Sequence, residues 1–177
     1  MTSAPPAPLA AVPADLRHQI AALVPDLRAF ARFLVQDRAM ADDLVQDTIV
    51  RAFDALAQFT PGTSLRNWLF TIQRNTLYEQ ARRRRIEQRV IAQAAPPDDS
   101  HAPAQHDQAA LAELQRFLWL LPATLREALV LVGAQGMSYA EAATICNVPE
   151  GTMKARVSRG RVQLAQKMGR IAMAPPE

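Results

Sequence analysis

A proline-bearing acidic stretch cuts this chain near its middle. Pro96, Pro97 and Pro103 fall between Ala94 and Asp107, alongside Asp98, Asp99 and Ser100. Proline lacks a backbone donor and pushes the residue before it out of the helical region, so no regular element runs through such a segment. Its low hydrophobicity leaves it little to bury. Residues 94–107 therefore read as a flexible linker, and the 177-residue chain as two small units on either side of it.

Both units read as helix, and the expected fold class is all-α. Ala, Leu, Arg and Gln abound, only 6 residues are glycine, and no β-branched run alternates as a strand would. The first unit is expected over 15–93. Its first helix covers about 15–36, with Leu16, Ile20, Leu23, Leu27, Phe30 and Leu34 at helical spacing. Pro25 lies inside, leaving either one kinked helix or two. A second helix is expected over 40–59, with Leu44, Val45, Ile49, Ala52, Phe53 and Leu56 inward. Thr60-Pro61-Gly62-Thr63 is a turn. A third helix starts after Ser64, a candidate N-cap, and reaches Ile86 or beyond. Leu65, Trp68, Leu69, Ile72 and Leu77 are its inward residues.

The second unit is expected over 108–170. A helix spans about 108–120, and Pro122 suits the first turn of another that ends near Val132. Ser138-Tyr139-Ala140-Glu141 has the form of a capping box and opens a short helix to Cys146. Asn147-Val148-Pro149 is the next turn, and a last helix spans about 150–168. Residues 1–14 and 171–177 read as tails, the first disordered. The N-terminus has no basic head or long apolar run, so neither a signal peptide nor a membrane span is expected, and the cytoplasm is the expected location.

Net charge is only +3, but charge is segregated. Arg74, Arg82–Arg85 and Arg89 face only Glu79 and Glu87 in one stretch; Lys154, Arg156, Arg159, Arg161, Lys167 and Arg170 face only Glu150 in another. Asp37, Asp42, Asp43, Asp47 and Asp54 make 37–54 acidic. Different signs on different faces imply different partners. Two basic helices flanking a linker point to a chain that grips nucleic acid at two places.

The segment from Ser138 to Arg161 has the form of a helix-turn-helix. Its second helix carries Met153 and Val157 inward and Thr152, Lys154, Arg156, Ser158, Arg159 and Arg161 outward, as a helix entering the major groove would. An ordinary helical hairpin with a solvated basic face would give the same pattern. The third helix interleaves Trp68, Phe70 and Tyr78 with Asn67, Gln73 and Asn75 and ends in arginines. Aromatics and cations together suit unpaired or distorted nucleic acid. For Trp68 a core position explains the residue equally well, and the arginines suit a solvated helix end.

No chemistry stands out. Cys146 is the only cysteine, expected as a small buried residue. His18, His101 and His106 match no metal or catalytic spacing, so no metal, no other cofactor and no small-molecule substrate is expected. A stand-alone helix-turn-helix regulator would need a ligand or dimerisation domain that the first unit does not offer. A nucleic-acid enzyme would need clustered carboxylates or a phosphate loop. A pure protein-binding adaptor would leave the basic faces unused.

Three stretches, DDLVQDTIVRAF (42–53), SLRNWLFTIQRNTLYEQARRRR (64–85) and LPATLREALVLVGAQGMSYAEAATICNVPEGTMKARVSRGRVQLA (121–165), resemble successive parts of an extracytoplasmic-function sigma factor of bacterial RNA polymerase. The general-stress-response, EcfG-like branch is the nearest in pattern. The resemblance implies two helical domains, sigma-2 and sigma-4. It implies that Asp43, Gln46 and Asp47 dock on the clamp helices of the polymerase β′ subunit. Phe59, Ser64, Asn67, Phe70, Asn75, Arg82 and Arg83 would lie at the downstream promoter element, where the loop from Phe59 to Ser64 captures a flipped base. Sigma-4 would read the upstream element of promoter DNA and touch the β flap. An anti-sigma factor is implied, either NepR-type and removed by a phosphorylated sigma-like mimic, or membrane-anchored as in other branches. Pro149 stands where many relatives have Ser, which removes an N-cap. Gly160 is expected to weaken the last helix by up to ~1 kcal/mol relative to Ala.

Overall fold

The computed structural model describes residues 14–91 and 109–172. The expected linker and nearly all of both expected tails lie outside the described residues. Ala14 and residues 171–172 are helical rather than tail. Among the described residues there are seven α-helices and no strand.

Helix α1 spans Ala14–Leu34 with Pro25 inside it. It is one helix, not two, because Ile20, Leu27, Phe30 and Ala31 on both sides of the proline bury into one core. Helix α2 spans Arg38–Asp54. Its start is fixed by Asp37, whose Oδ1 accepts from the Met40 amide at 2.8 Å. Its end comes five residues before the expected Phe59. The chain tightens into a 3₁₀ turn over Leu56–Gln58, and the Phe59 amide donates to the Leu56 carbonyl at 3.0 Å. The apolar spacing of Phe53, Leu56 and Phe59 continues through this turn, which is why the sequence reads as unbroken helix. Gly62 follows at φ 89°, a value that glycine adopts freely.

Helix α3 spans Leu65–Ile91. The Ser64 hydroxyl accepts from the Asn67 amide at 3.2 Å, as an N-cap does. Helices α1 to α3 close one core, in which Phe30 and Phe70 stack with centroids 5.0 Å apart. Gln73 is fully buried and donates to the Leu27 carbonyl at 2.9 Å, tying α3 to α1. Phe70, Gln73 and Thr76 belong to this core, where the sequence suggested Trp68, Ile72 and Leu77; those three are half-buried at its edge.

Helix α4 spans Ala109–Trp119 and α5 Ala123–Leu129. Pro122 sits just outside α5, at its N-cap position. The backbone then widens into a π-helical stretch, Val130–Ala134, and leaves it through Gly136 at φ 66°. Helix α6 spans Tyr139–Cys146 and carries the complete capping box: Ser138 accepts from the Glu141 amide, and the Glu141 carboxylate accepts from the Ser138 amide. Asn147, at φ 51° and ψ 53°, ends it in the left-handed region. Helix α7 spans Glu150–Ala172. The carbonyl of Pro149 accepts from the Met153 amide at 3.1 Å, but its ring offers no acceptor to the first-turn amides.

Gly160 corrects an expectation. It is buried, and a Cβ built on it would stand 2.9 Å from the Leu129 Cγ. Its missing side chain lets α7 lie close on α5 through the stripe Met153, Val157 and Gly160. The residue is an adjustment to packing, not a loose point.

Candidate nucleic-acid interface

On α2, Asp43, Gln46 and Asp47 are all exposed. Their spacing puts them on one face, opposite the buried Ala41, Leu44, Val45, Thr48 and Ala52. Asp47 is not wholly free, since it accepts from Gln80 Nε2 at 2.7 Å. The sequence reading missed Val50, which continues this face one turn on and is 58% exposed. The same three- and four-residue spacing that groups the acids would have found it.

Beyond α2, Phe59 lies half-buried on Trp68, with ring centroids 5.3 Å apart. The exposed Ser64 caps the helix beside them. Two aromatics thus line the base of a short polar loop, an arrangement able to receive a planar group. Asn75, Arg82 and Arg83 stand exposed further along α3. Phe70 does not join them. It is 0% exposed, and its ring is held between Phe30 and the Arg66 guanidinium, which lies 5.1 Å above it. It belongs to the core and cannot touch a base without unpacking it.

Asn67 faces neither the loop nor solvent. Its amide Nδ2 donates to Glu141 Oε1 at 3.1 Å. It marks an interface between the two halves that has no local signature in the sequence. Arg66 donates from Nη2 to the Gln135 carbonyl at 3.0 Å and to its Oε1 at 2.9 Å, while its Nε pairs with Asp26 at 3.2 Å. Arg74 Nε pairs with Glu127 Oε1 at 2.7 Å. Glu127 is 1% exposed, and a buried carboxylate requires such a partner. The Tyr78 ring lies 4.5 Å from the Arg74 guanidinium, and its hydroxyl is 3.4 Å from Glu127 Oε2. Burial and the Glu127 charge both push the Tyr78 phenol up. Burial pulls Arg74 down, but its surroundings, the Glu127 carboxylate foremost, together outweigh that and hold its pKa above the ordinary arginine value. On the far side of Glu127, burial pushes the Cys146 thiol up to about 12. Cys146 is buried, as expected of it.

The outward residues of α7 divide between two flanks of its buried stripe. Lys154, Ser158 and Arg161 follow each other on one flank; Thr152, Arg156 and Arg159 follow each other on the other. Lys154, Ser158, Arg159 and Arg161 are exposed, whereas Thr152 and Arg156 are half-buried. Lys154 pairs with Glu150 at 2.7 Å, an i,i+4 contact. The capping box, the left-handed Asn147 and the Gly160 packing hold this helix rigidly across α5 and α6 with its basic surface outward. Such a helix can enter the major groove, base edges facing its outer residues and phosphates its flanks. Arg126, which the sequence did not single out, is the buried prop of this unit, its guanidinium 3.6 Å from the Trp119 ring centroid. Among the described residues no cluster of His, Cys, Asp and Glu converges on a metal-sized site.

Residues 20–86 match the family description Sigma-70 region 2, and residues 111–164 match Sigma-70, region 4. The chain belongs to the sigma-70 family, as an extracytoplasmic-function sigma factor. It is 45% identical over 157 residues to the ECF RNA polymerase sigma factor EcfG of Rhodopseudomonas palustris, covering 85% of this chain and 83% of that one. It is 36% identical over 140 residues to the ECF sigma factor SigC of Mycobacterium tuberculosis, covering 77% and 74%. Among solved structures it resembles the sigma factor RpoE of Bartonella quintana, crystallised with the anti-sigma factor NepR, at a TM-score of 0.76 and 39% identity over 88% of this chain and 97% of that one. As a sigma factor it binds core RNA polymerase and promoter DNA and directs transcription initiation without catalysis of its own. Helices α1 to α3 are its region 2 and α4 to α7 its region 4. No helix among the described residues is long and apolar enough to cross a membrane.

Proposed function

We propose that this sigma factor directs polymerase to promoters of stress-response genes and is held in check by a small NepR-type anti-sigma factor. The similarity to EcfG and to a sigma factor crystallised with NepR supports the branch. In this reading 15–93 binds polymerase and the downstream element, 94–107 is the linker, and 108–170 reads the upstream element. Asp43, Gln46 and Asp47 dock on the β′ clamp helices. The Phe59–Trp68 platform below the loop to Ser64 receives a flipped base, with Asn75, Arg82 and Arg83 on the strand beside it. Region 4 touches the β flap. Thr152, Arg156, Ser158 and Arg159 reach base edges, and Lys154 and Arg161 reach phosphates.

The observation that carries the promoter reading is the exposure of Lys154, Ser158, Arg159 and Arg161 on one closely packed helix. The test is transcription from genomic fragments with core polymerase and this chain, with start sites sequenced. Wild type should start at sites sharing two elements. Arg156→Ala with Arg159→Ala should abolish those starts while polymerase binding persists. Unchanged start sites in the double variant would overturn the assignment of α7. Separately, extracts of unstressed cells should yield a small anti-sigma factor that competes with core polymerase; recovery of polymerase alone under every condition would overturn that control.

A further inference from the structure

We propose that Glu79 and Gln80 of α3 are positioning residues for polymerase docking. Glu79 draws Arg51 away from Asp47, and Gln80 holds that aspartate through a neutral amide. Helix α3 thereby presents Asp47 to the polymerase fixed but un-neutralised. The inference rests on the reading of Asp47 as a polymerase-docking residue. Asp47 and Arg51 stand four apart on α2, acid before base, the order in which an i,i+4 ion pair forms best. That pair is not made. Arg51 Nη1 lies 2.6 Å from Glu79 Oε2, and Asp47 Oδ2 accepts from Gln80 Nε2 at 2.7 Å. Two consecutive side chains of α3 replace the partner that the spacing along α2 sets up.

The replacement changes what a polymerase meets. An aspartate bonded to arginine is locally neutral. Asp42 on the same helix is such a residue, with Arg28 Nε 2.9 Å from its Oδ1. Among the described residues no cation pairs with Asp43 or Asp47. The Gln80 amide carries no charge to cancel that of Asp47. A carboxylate has two acceptor oxygens, so a bond to Oδ2 leaves Oδ1 for a cationic donor of the partner. Gln80 is half-buried and has little room to swing away. A carboxylate held in one rotamer before docking loses less freedom on docking. Stability does not account for the arrangement. The Arg51 and Glu79 side chains are 37% and 52% exposed, and an ion pair that open adds little to folding. The Arg51 hydrogen bond and charge hold the Glu79 carboxyl below the usual glutamate range, so Glu79 keeps its hold on Arg51 at neutral pH.

The test is equilibrium binding of the full chain to core polymerase, read by displacement of a labelled wild-type chain. Asp47→Asn should weaken binding about tenfold, the loss of one charge-assisted contact. Glu79→Gln releases Arg51 onto Asp47 and should weaken binding about threefold. Adding Arg51→Gln to Glu79→Gln removes the released cation and should restore wild-type affinity, a rescue that a merely structural pair would not give. Asp15→Asn, on the exposed first turn of α1, makes the same change of net charge as Glu79→Gln and should leave affinity unchanged. Gln80→Leu should lose about threefold, and nothing more when combined with Asp47→Asn. The helical circular dichroism of each variant should match wild type, since Asp47, Arg51, Glu79 and Gln80 are all exposed or half-buried. A Glu79→Gln chain that binds as Asp15→Asn does, or a double variant no better than Glu79→Gln alone, would overturn the role of Glu79. Equal losses from Gln80→Leu with and without Asp47→Asn would overturn that of Gln80. If Asp47→Asn itself binds as wild type, the docking reading fails and the positioning role with it. If Asp47→Asn weakens binding and the α3 variants do not, the positioning role alone is wrong.

Discussion

Helices α3 and α7 are both long and both rich in arginine, yet one presents its polar surface to solvent and the other turns part of it to its own chain. Along α7 the exposed Lys154, Ser158, Arg159 and Arg161 meet nothing from region 2 among the contacts described. Along α3, Arg66, Asn67 and Arg74 are engaged by Gln135, Glu141 and Glu127. The difference follows from what stands opposite. Helix α7 packs inward through Met153, Val157 and Gly160, the last against Leu129 of α5, which spends its apolar stripe and leaves its basic side facing nothing from region 2 among the contacts described. Helix α3 packs inward through Leu65, Leu69, Phe70 and Gln73, and its next stripe meets the acidic residues of α5 and α6. Basic composition alone therefore does not distinguish a ready DNA-binding surface from a covered one; the charge of the neighbouring element does.

The comparison is broken most severely at α7. Arg159→Ala should weaken duplex binding of the upstream element by ~1–3 kcal/mol if the residue reaches a base, and the loss should be the same whether the two units are closed or open. Electrophoretic shifts with wild type and with Glu127→Gln background check this. A loss that appears only in the open background would mean that α7 is also covered.

Packing comes next. Gly160→Ala gains helix propensity of about 1 kcal/mol but drives a methyl to 2.9 Å from Leu129 Cγ. Overpacking typically costs ~1–3 kcal/mol, so the net effect should be a loss of stability of about 1 kcal/mol, and Gly160→Val should lose more. Denaturant unfolding followed by circular dichroism measures both. A stabilised Gly160→Ala would show that α7 is free to move away from α5.

Ser138→Ala should remove about 1 kcal/mol through the N-cap of α6, and it should also loosen the Asn67 contact, since Ser138 orients Glu141. The smallest effect is a pH effect at the same place. Bonds from the Ser138 amide, then from the Ser138 hydroxyl and Asn67 Nδ2, hold the Glu141 carboxyl below the usual glutamate range. A carboxyl depressed on folding contributes stability above its unfolded pKa, near 4.3, and loses it as pH falls through the lower folded value. Closure should therefore weaken slightly below about pH 4, and Glu141→Gln should abolish that step in an acid titration followed by scattering.

Much of the fold was legible because the signals are local. The capping box, the turns at Gly62 and at Asn147 to Pro149, and the start of α3 at Ser64 are each written in a few adjacent residues. The end of α2 was not, because the 3₁₀ turn preserves the apolar spacing that signals helix. Phe70 was misread because an aromatic on a basic helix has the same spelling whether it stacks on a base or on Phe30. Gly160 was misread because propensity is a property of one helix and close approach a property of two. The contacts of Arg74 with Glu127 and of Asn67 with Glu141 join residues 53 and 74 positions apart. They have no local signature, and only the three-dimensional arrangement brings them together.

The most direct measurement of the covered-against-open account is a distance between the two units in single molecules. Dyes placed at the exposed Ala57 and Ala165 report it, with the buried Cys146 thiol, pushed up to about 12, resisting the label. The free chain should show one short-distance population. Core polymerase and promoter DNA should move it to a long distance, and Glu127→Gln should populate that state without them. A long distance in the free wild-type chain, or an unchanged short one on a polymerase that initiates, would contradict the account.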